Sequence, residues 1–95
     1  MSYAEFDSIR NHFEAPVMTA IRERCSDYPG LDPEMLADVA CVALNRLPPR
    51  YIRHAVDLAF YMTDKERVDN QKAIEDAVQH AFEFVQARAA MRARK

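Results

Sequence analysis

"TDKERVDNQKAIEDAVQHAFEFVQARAAMRARK", residues 63 to 95, decides the fold. Its first four residues read as a capping box: the Thr63 hydroxyl accepts from the amide of Glu66, and the Glu66 carboxylate reaches back to the amide of Thr63. Downstream, Ile74, Val78, Ala81, Phe82, Val85 and Ala89 share one helical face, while Asp76, Gln79, His80, Glu83 and Gln86 share the other. No glycine or proline intervenes before the C-terminus. The pattern predicts one long amphipathic helix, roughly 40 Å in length at ~1.5 Å per residue. A compact chain of this size has a radius of gyration near ~12 Å, so the helix end is expected to project or to pack on a partner chain. A core this small is not expected to cover the whole apolar stripe, which makes a partner the natural cover for it.

Upstream of that helix the prolines organise the chain. Asp32 before Pro33 is a helix-start signal, a capping side chain followed by a proline whose missing N–H costs nothing in the first turn. The helix runs through "EMLADVACVALN", where residues 39–44 are apolar on every side, which predicts a buried central helix. Pro48 and Pro49 end it, because two successive prolines cannot extend a helix. Residues 50–62 admit two periods: Val56, Leu58, Phe60 and Met62 alternate as in a strand, whereas Ile52, Val56, Ala59 and Phe60 also fit a helical face. The extended reading, with a short strand, is preferred. In residues 3–24, Phe6, Ile9, Phe13, Val17, Ala20 and Ile21 hold one phase across Pro16, which predicts a single kinked helix. The expected fold is therefore mainly α: one small helical domain spanning residues 1–95, with a kinked first helix, a buried central helix, a proline-bounded extended arm and a long C-terminal helix.

Composition agrees. With 49% apolar residues and a single glycine, neither disorder nor a hairpin-rich β fold is expected. The formal charge of −2 and the lack of a long apolar run or leader pattern point to a cytoplasmic protein with no membrane partner. Cys25 and Cys41 have no motif spacing, and Cys41, inside "VACVAL", reads as a small buried hydrophobe. No cofactor and no metal site is expected. There is no glycine-rich phosphate loop, no HExxH and no nucleophile elbow, and His12, His54 and His80 are scattered, so no enzymatic site is expected either.

The candidate site is the corner "NRLPPRY" together with the residues immediately after it. Between Asp38 and Asp57 there is no acidic residue, while Arg46, Arg50, Arg53 and His54 fall in that interval with Tyr51 among them. Guanidinium groups offer paired planar donors for phosphate oxygens and for the Hoogsteen edge of guanine, and a tyrosine ring offers a stacking surface. Prolines hold such groups without the entropy loss of a flexible loop. A second reading stands beside it: Arg46 satisfies helix C-terminal carbonyls, Tyr51 belongs to the core or an interface, and the other arginines are solvated. The basic tail "RAAMRARK" could touch a phosphate backbone through Arg88 and Arg92, but cations also complement a helix C-terminus, and overall acidity disfavours nucleic acid as a partner.

The run "DVACVALNRLPPRYIRH" resembles the central signature of the late competence development protein ComFB family, and "IRNHFEAPVMTAI" is similar to that family's first helix. Asp38, Val39, Leu44, Asn45, Leu47, Pro48, Pro49, Arg50 and Tyr51 carry the match. The resemblance implies a small, mainly helical, typically dimeric bacterial signalling protein. It also implies a non-enzymatic receptor for a cyclic dinucleotide, cyclic di-GMP favoured, with an unknown downstream protein partner. Arg46, Arg50, Tyr51, Arg53 and His54 are then the expected ligand-binding residues. The alternative is a homodimeric helical protein-interaction module without a nucleotide ligand. Some members carry a cysteine-rich segment resembling a zinc site; the corresponding stretch here holds only Cys25, so zinc is not expected and a competence role is not transferred.

Overall fold

The computed structural model describes residues 3–93. Four α-helices carry the architecture of that span: α1 (Glu14–Arg24), α2 (Pro33–Arg46), α3 (Ala55–Tyr61) and α4 (Asp64–Ala93). Two two-residue strands, β1 (Arg10–Asn11) and β2 (Tyr51–Ile52), pair antiparallel with Arg10 opposite Ile52 and Asn11 opposite Tyr51. Short 3-10 turns lie at Ala4–Phe6 and Cys25–Asp27.

The long helix forms as its start signal predicts, with the Glu66 amide donating to Thr63 Oγ1 at 3.1 Å. The start of α2 is likewise set by Asp32, whose Oδ1 accepts from the Met35 amide at 2.9 Å, with Pro33 in the first turn. Helices α1, α2 and α4 pack against one another around a shared core of Phe13, Val17 and Ile21, Val39, Ala43 and Leu47, and the α4 stripe. Tyr28, from the connection between α1 and α2, stacks flat on Phe82 with ring centroids 4.4 Å apart. Ile74, Ala77, Val78, Ala81, Phe82 and Val85 are all buried within the single chain. Within the single chain α1 and α2 cover this stripe as far as Val85. Past Val85 the helix still runs beside α2, with Ala89 half-buried near Met35, and the chain is flat, 48 × 42 × 20 Å, with a radius of gyration of 15.5 Å.

Three expectations are corrected. The first segment is not one kinked helix: α1 begins only at Glu14, and Pro16 sits in its first turn. An amide there has no intrahelical partner to lose, so the proline initiates rather than bends. Residues 55–61 are helical rather than extended; Leu58 alone among them is buried, while Val56 and Phe60 are exposed. The alternation at 56, 58 and 60 is thus not a strand pattern, and extended structure is confined to Tyr51–Ile52. Cys41 is exposed rather than buried. α2 packs on α1 and α4 along one face only, so Val39 and Ala43 are buried while its outer face, with Cys41, stays open.

Candidate ligand-binding site

The corner is built from both ends of the sequence. Buried Leu47 closes α2, its amide donating to the Leu44 carbonyl at 3.3 Å, and exposed Pro48 and Pro49 turn the chain. The side-chain carbonyl of Asn11 then accepts from the amides of Arg50 (3.1 Å) and Phe13 (3.2 Å). Glu14 Oε2 accepts from the Asn11 amide at 2.8 Å, and the His12 amide donates to the Arg50 carbonyl at 2.6 Å. Both backbone polar groups of Arg50 are held by residues 39 or so positions away in sequence. One asparagine thus starts α1 and fixes the corner together. Asn11→Ala removes the acceptor for one part-buried amide and one exposed amide and is expected to lower stability by about 1–3 kcal/mol, read as a fall in the urea midpoint.

Arg50, Tyr51, Arg53 and His54 line one open hollow of about 300 Å³ with Ile52, Asp57, Leu58 and Tyr61. Arg46 lies on the last turn of α2 and does not line it. Tyr51 is 69% exposed and Tyr61 78% exposed, so Tyr51 is not a core residue of this chain and both rings are available as flat surfaces. Arg53 is aimed by a hydrogen bond from Nε to Ser8 Oγ at 3.2 Å. Among the described residues neither Arg50 nor Arg53 forms an ion pair; the one ion pair there joins Arg67 to Asp64. With two guanidiniums against the single carboxylate of Asp57, the hollow is electropositive.

His12 lies just behind the corner. Burial pushes its pKa below the ordinary 6.5, and the neighbouring Arg50 charge lowers it further. A depressed imidazole contributes stability that is full above the unfolded value and is lost as pH falls through it toward the folded value. The unfolding midpoint is therefore expected to drop as pH falls below the ordinary 6.5, and His12→Gln to flatten that part of the profile.

A second cavity, which no sequence signal singles out, opens between α3 and α4. It holds about 380 Å³ and is walled by Pro16, Leu58, Met62 and Ile74, with His12, Arg67, Asn70 and Gln71 at its polar edge. At the C-terminal tail Arg88 and Arg92 line a small hollow of about 100 Å³ with Met35 and Asp38 of α2; Arg88 also lies 5.8 Å from the centre of the Phe84 ring, and Arg94 and Lys95 fall outside the described residues. Among the described residues no three histidine, cysteine or acidic side chains converge as a metal site would require. No helix among them is long and apolar enough to cross a membrane.

A small, mainly α domain that holds a rigid, arginine-bearing corner on its surface is the class that fold and site define. The chain belongs to the late competence development protein ComFB family, whose model matches residues 10–89. That span runs from β1 nearly to the end of α4 and contains Asn11, His12 and the corner itself, with Ser8, which holds Arg53, lying just before it. Comparison with curated proteins and with solved structures returns no match.

Proposed function

We propose that this protein is a non-enzymatic receptor for a cyclic dinucleotide, cyclic di-GMP before cyclic di-AMP, acting as a homodimer in bacterial signalling. The observation that carries the reading is the convergence of Arg50, Arg53 and His54 with the exposed rings of Tyr51 and Tyr61 around one hollow. Guanidinium forks suit phosphate oxygens, and exposed tyrosines suit the faces of purine rings. Because the corner backbone is tied at Asn11 and His12, little ordering cost attends binding. A shallow hollow contacts one side of a ligand only, and a second copy related by a two-fold axis supplies the other side of a two-fold symmetric dinucleotide. Family membership favours the same ligand class, and the signal passes to a downstream protein partner.

A homodimeric interaction module without nucleotide is the second reading. It is favoured by the exposed apolar groove between α1 and α2, lined by Met18, Ile21, Leu36, Ala40 and Leu44, and by Phe60, which is 85% exposed on α3. Calorimetric titration with cyclic di-GMP, cyclic di-AMP and their linear forms, paired with light scattering, separates the two. Saturable binding of a cyclic dinucleotide supports the receptor; flat traces with a dimeric mass support the module.

A further inference from the structure

Helix α3 is held to its own chain by little. Of its seven residues only Leu58 is buried, while Val56 is 69% exposed, Phe60 85% and Tyr61 78%. A helix of this length is not stable in isolation, and the tertiary packing that helices rely on is here confined to one side chain. Large apolar groups side by side in water on so short an element mark an interaction surface rather than scattered surface residues.

What fits that surface follows from where the groups stand. Ala55, Leu58, Ala59 and Met62 line the α3/α4 cleft, facing Pro16 and Ile74. Val56 and Phe60, four residues apart, form the next ridge of the helix, one residue round from the Ala55 and Ala59 ridge, so a protruding aromatic stands at the lip of an apolar cleft of about 380 Å³. Both alanines are exposed, and their small side chains let another backbone come close. A projection and a recess side by side on one surface are what an isologous contact needs: about a two-fold axis, each copy's projection meets the other's recess. Charge agrees with this. Asp57 lies one turn before Phe60, and Arg67, 60% exposed and within only 3.9 Å of Asp64, stands at the cleft edge, so a Phe60 entering the cleft of a second copy carries its Asp57 toward an available guanidinium. The area also suffices: with ~150–250 Å² for a fully buried aromatic, Phe60, Tyr61 and Val56 supply roughly half of the ~800 Å² per partner that a stable interface buries, and the cleft walls add to it.

We propose that this chain pairs with a second copy of itself through α3, Phe60 of each protomer seated in the α3/α4 cleft of the other. The contact rests on the homodimer of the reading above and not on its nucleotide. Asp57, Leu58 and Tyr61 of α3 also line the basic hollow, so the same contact brings the two hollows to either side of the axis.

The test is light scattering on the full chain across a dilution series, with circular dichroism as the check on folding. The wild type is expected at twice the 11.0 kDa of one chain. Phe60→Asp, which changes an exposed side chain, and Ala59→Arg, which blocks the cleft and sets a charge beside Arg67, should each stay folded and weaken dimerisation by roughly tenfold or more. Mixed together they should pair again, because Phe60 of the Ala59→Arg chain still finds the open cleft of the Phe60→Asp chain. Met18→Glu, in the groove between α1 and α2, should leave the dimer intact. A wild-type dimer that is lost in Phe60→Asp supports the contact even where calorimetry with cyclic di-GMP is flat, an outcome that counts against the ligand alone. A monomeric wild type at millimolar concentration, a dimer that persists in folded Phe60→Asp, failure of the two variants to pair on mixing, or loss of the dimer in folded Met18→Glu overturns it.

Discussion

Arg50→Ala is expected to weaken cyclic di-GMP binding by about 1.5–3 kcal/mol, roughly ten- to 150-fold, and Arg50→Ala with Arg53→Ala to bring it below detection. The corner is held through the backbone of residue 50, by Asn11 and His12, so truncating its side chain leaves those hydrogen bonds in place. Melting temperature should accordingly change little in Arg50→Ala, whereas Asn11→Ala should lower it. Arg53→Ala also loses its bond to Ser8, an exposed contact of small worth. Binding by the wild type should weaken as salt rises, because the hollow is open to solvent and its charges are screened. Titration of the folded double variant decides the matter: unchanged affinity there would remove the corner as the ligand site.

Phe82→Ala is expected to cost about 3–5 kcal/mol, a large share of the ~5–15 kcal/mol that holds a domain of this kind together. The ring is fully buried at the centre of α4 and stacks on Tyr28, so its removal opens a cavity and deprives the α1–α2 connection of its support. Tyr28→Ala should show a smaller loss, since that residue is half-buried. Phe82→Asp should leave no folded protein, as a carboxylate there has neither water nor a partner. Because the stripe is covered within one chain, all three effects should appear as unfolding in circular dichroism rather than as dissociation of a folded subunit.

Local signals read well where the physics is local. The Thr63 cap, the Asp32–Pro33 start and the double proline each act within a few residues, and each sets a helix boundary in the structure. The family resemblance rests on contiguous runs at residues 9–21 and 38–54 for the same reason, and the family match confirms it. Pattern misleads where the short range is ambiguous. Residues 55–61 satisfy both a two-residue and a helical period, and seven residues are too few for pattern alone to arbitrate. In residues 3–24 a continuous apolar phase suggests one helix, but Asn11 is drawn into a strand pair with Tyr51, which forces the helix to begin after it. Cys41 shows the limit of composition: an apolar run tells how much could be buried, not how many neighbours arrive to bury it.

The sequence by itself determined the helical class, the extent of α4, the start of α2 and the concentration of arginine around the proline corner, because capping, proline geometry and helical periodicity act between near neighbours. Tertiary structure decided the rest. Asn11 meets Arg50 across 39 positions, Tyr28 covers Phe82, and α3 comes alongside α4 to make an open cleft. Each of these depends on which surfaces the packed helices leave available, and side-chain hydrogen bonds and cavities at that range have no periodicity for a sequence to display.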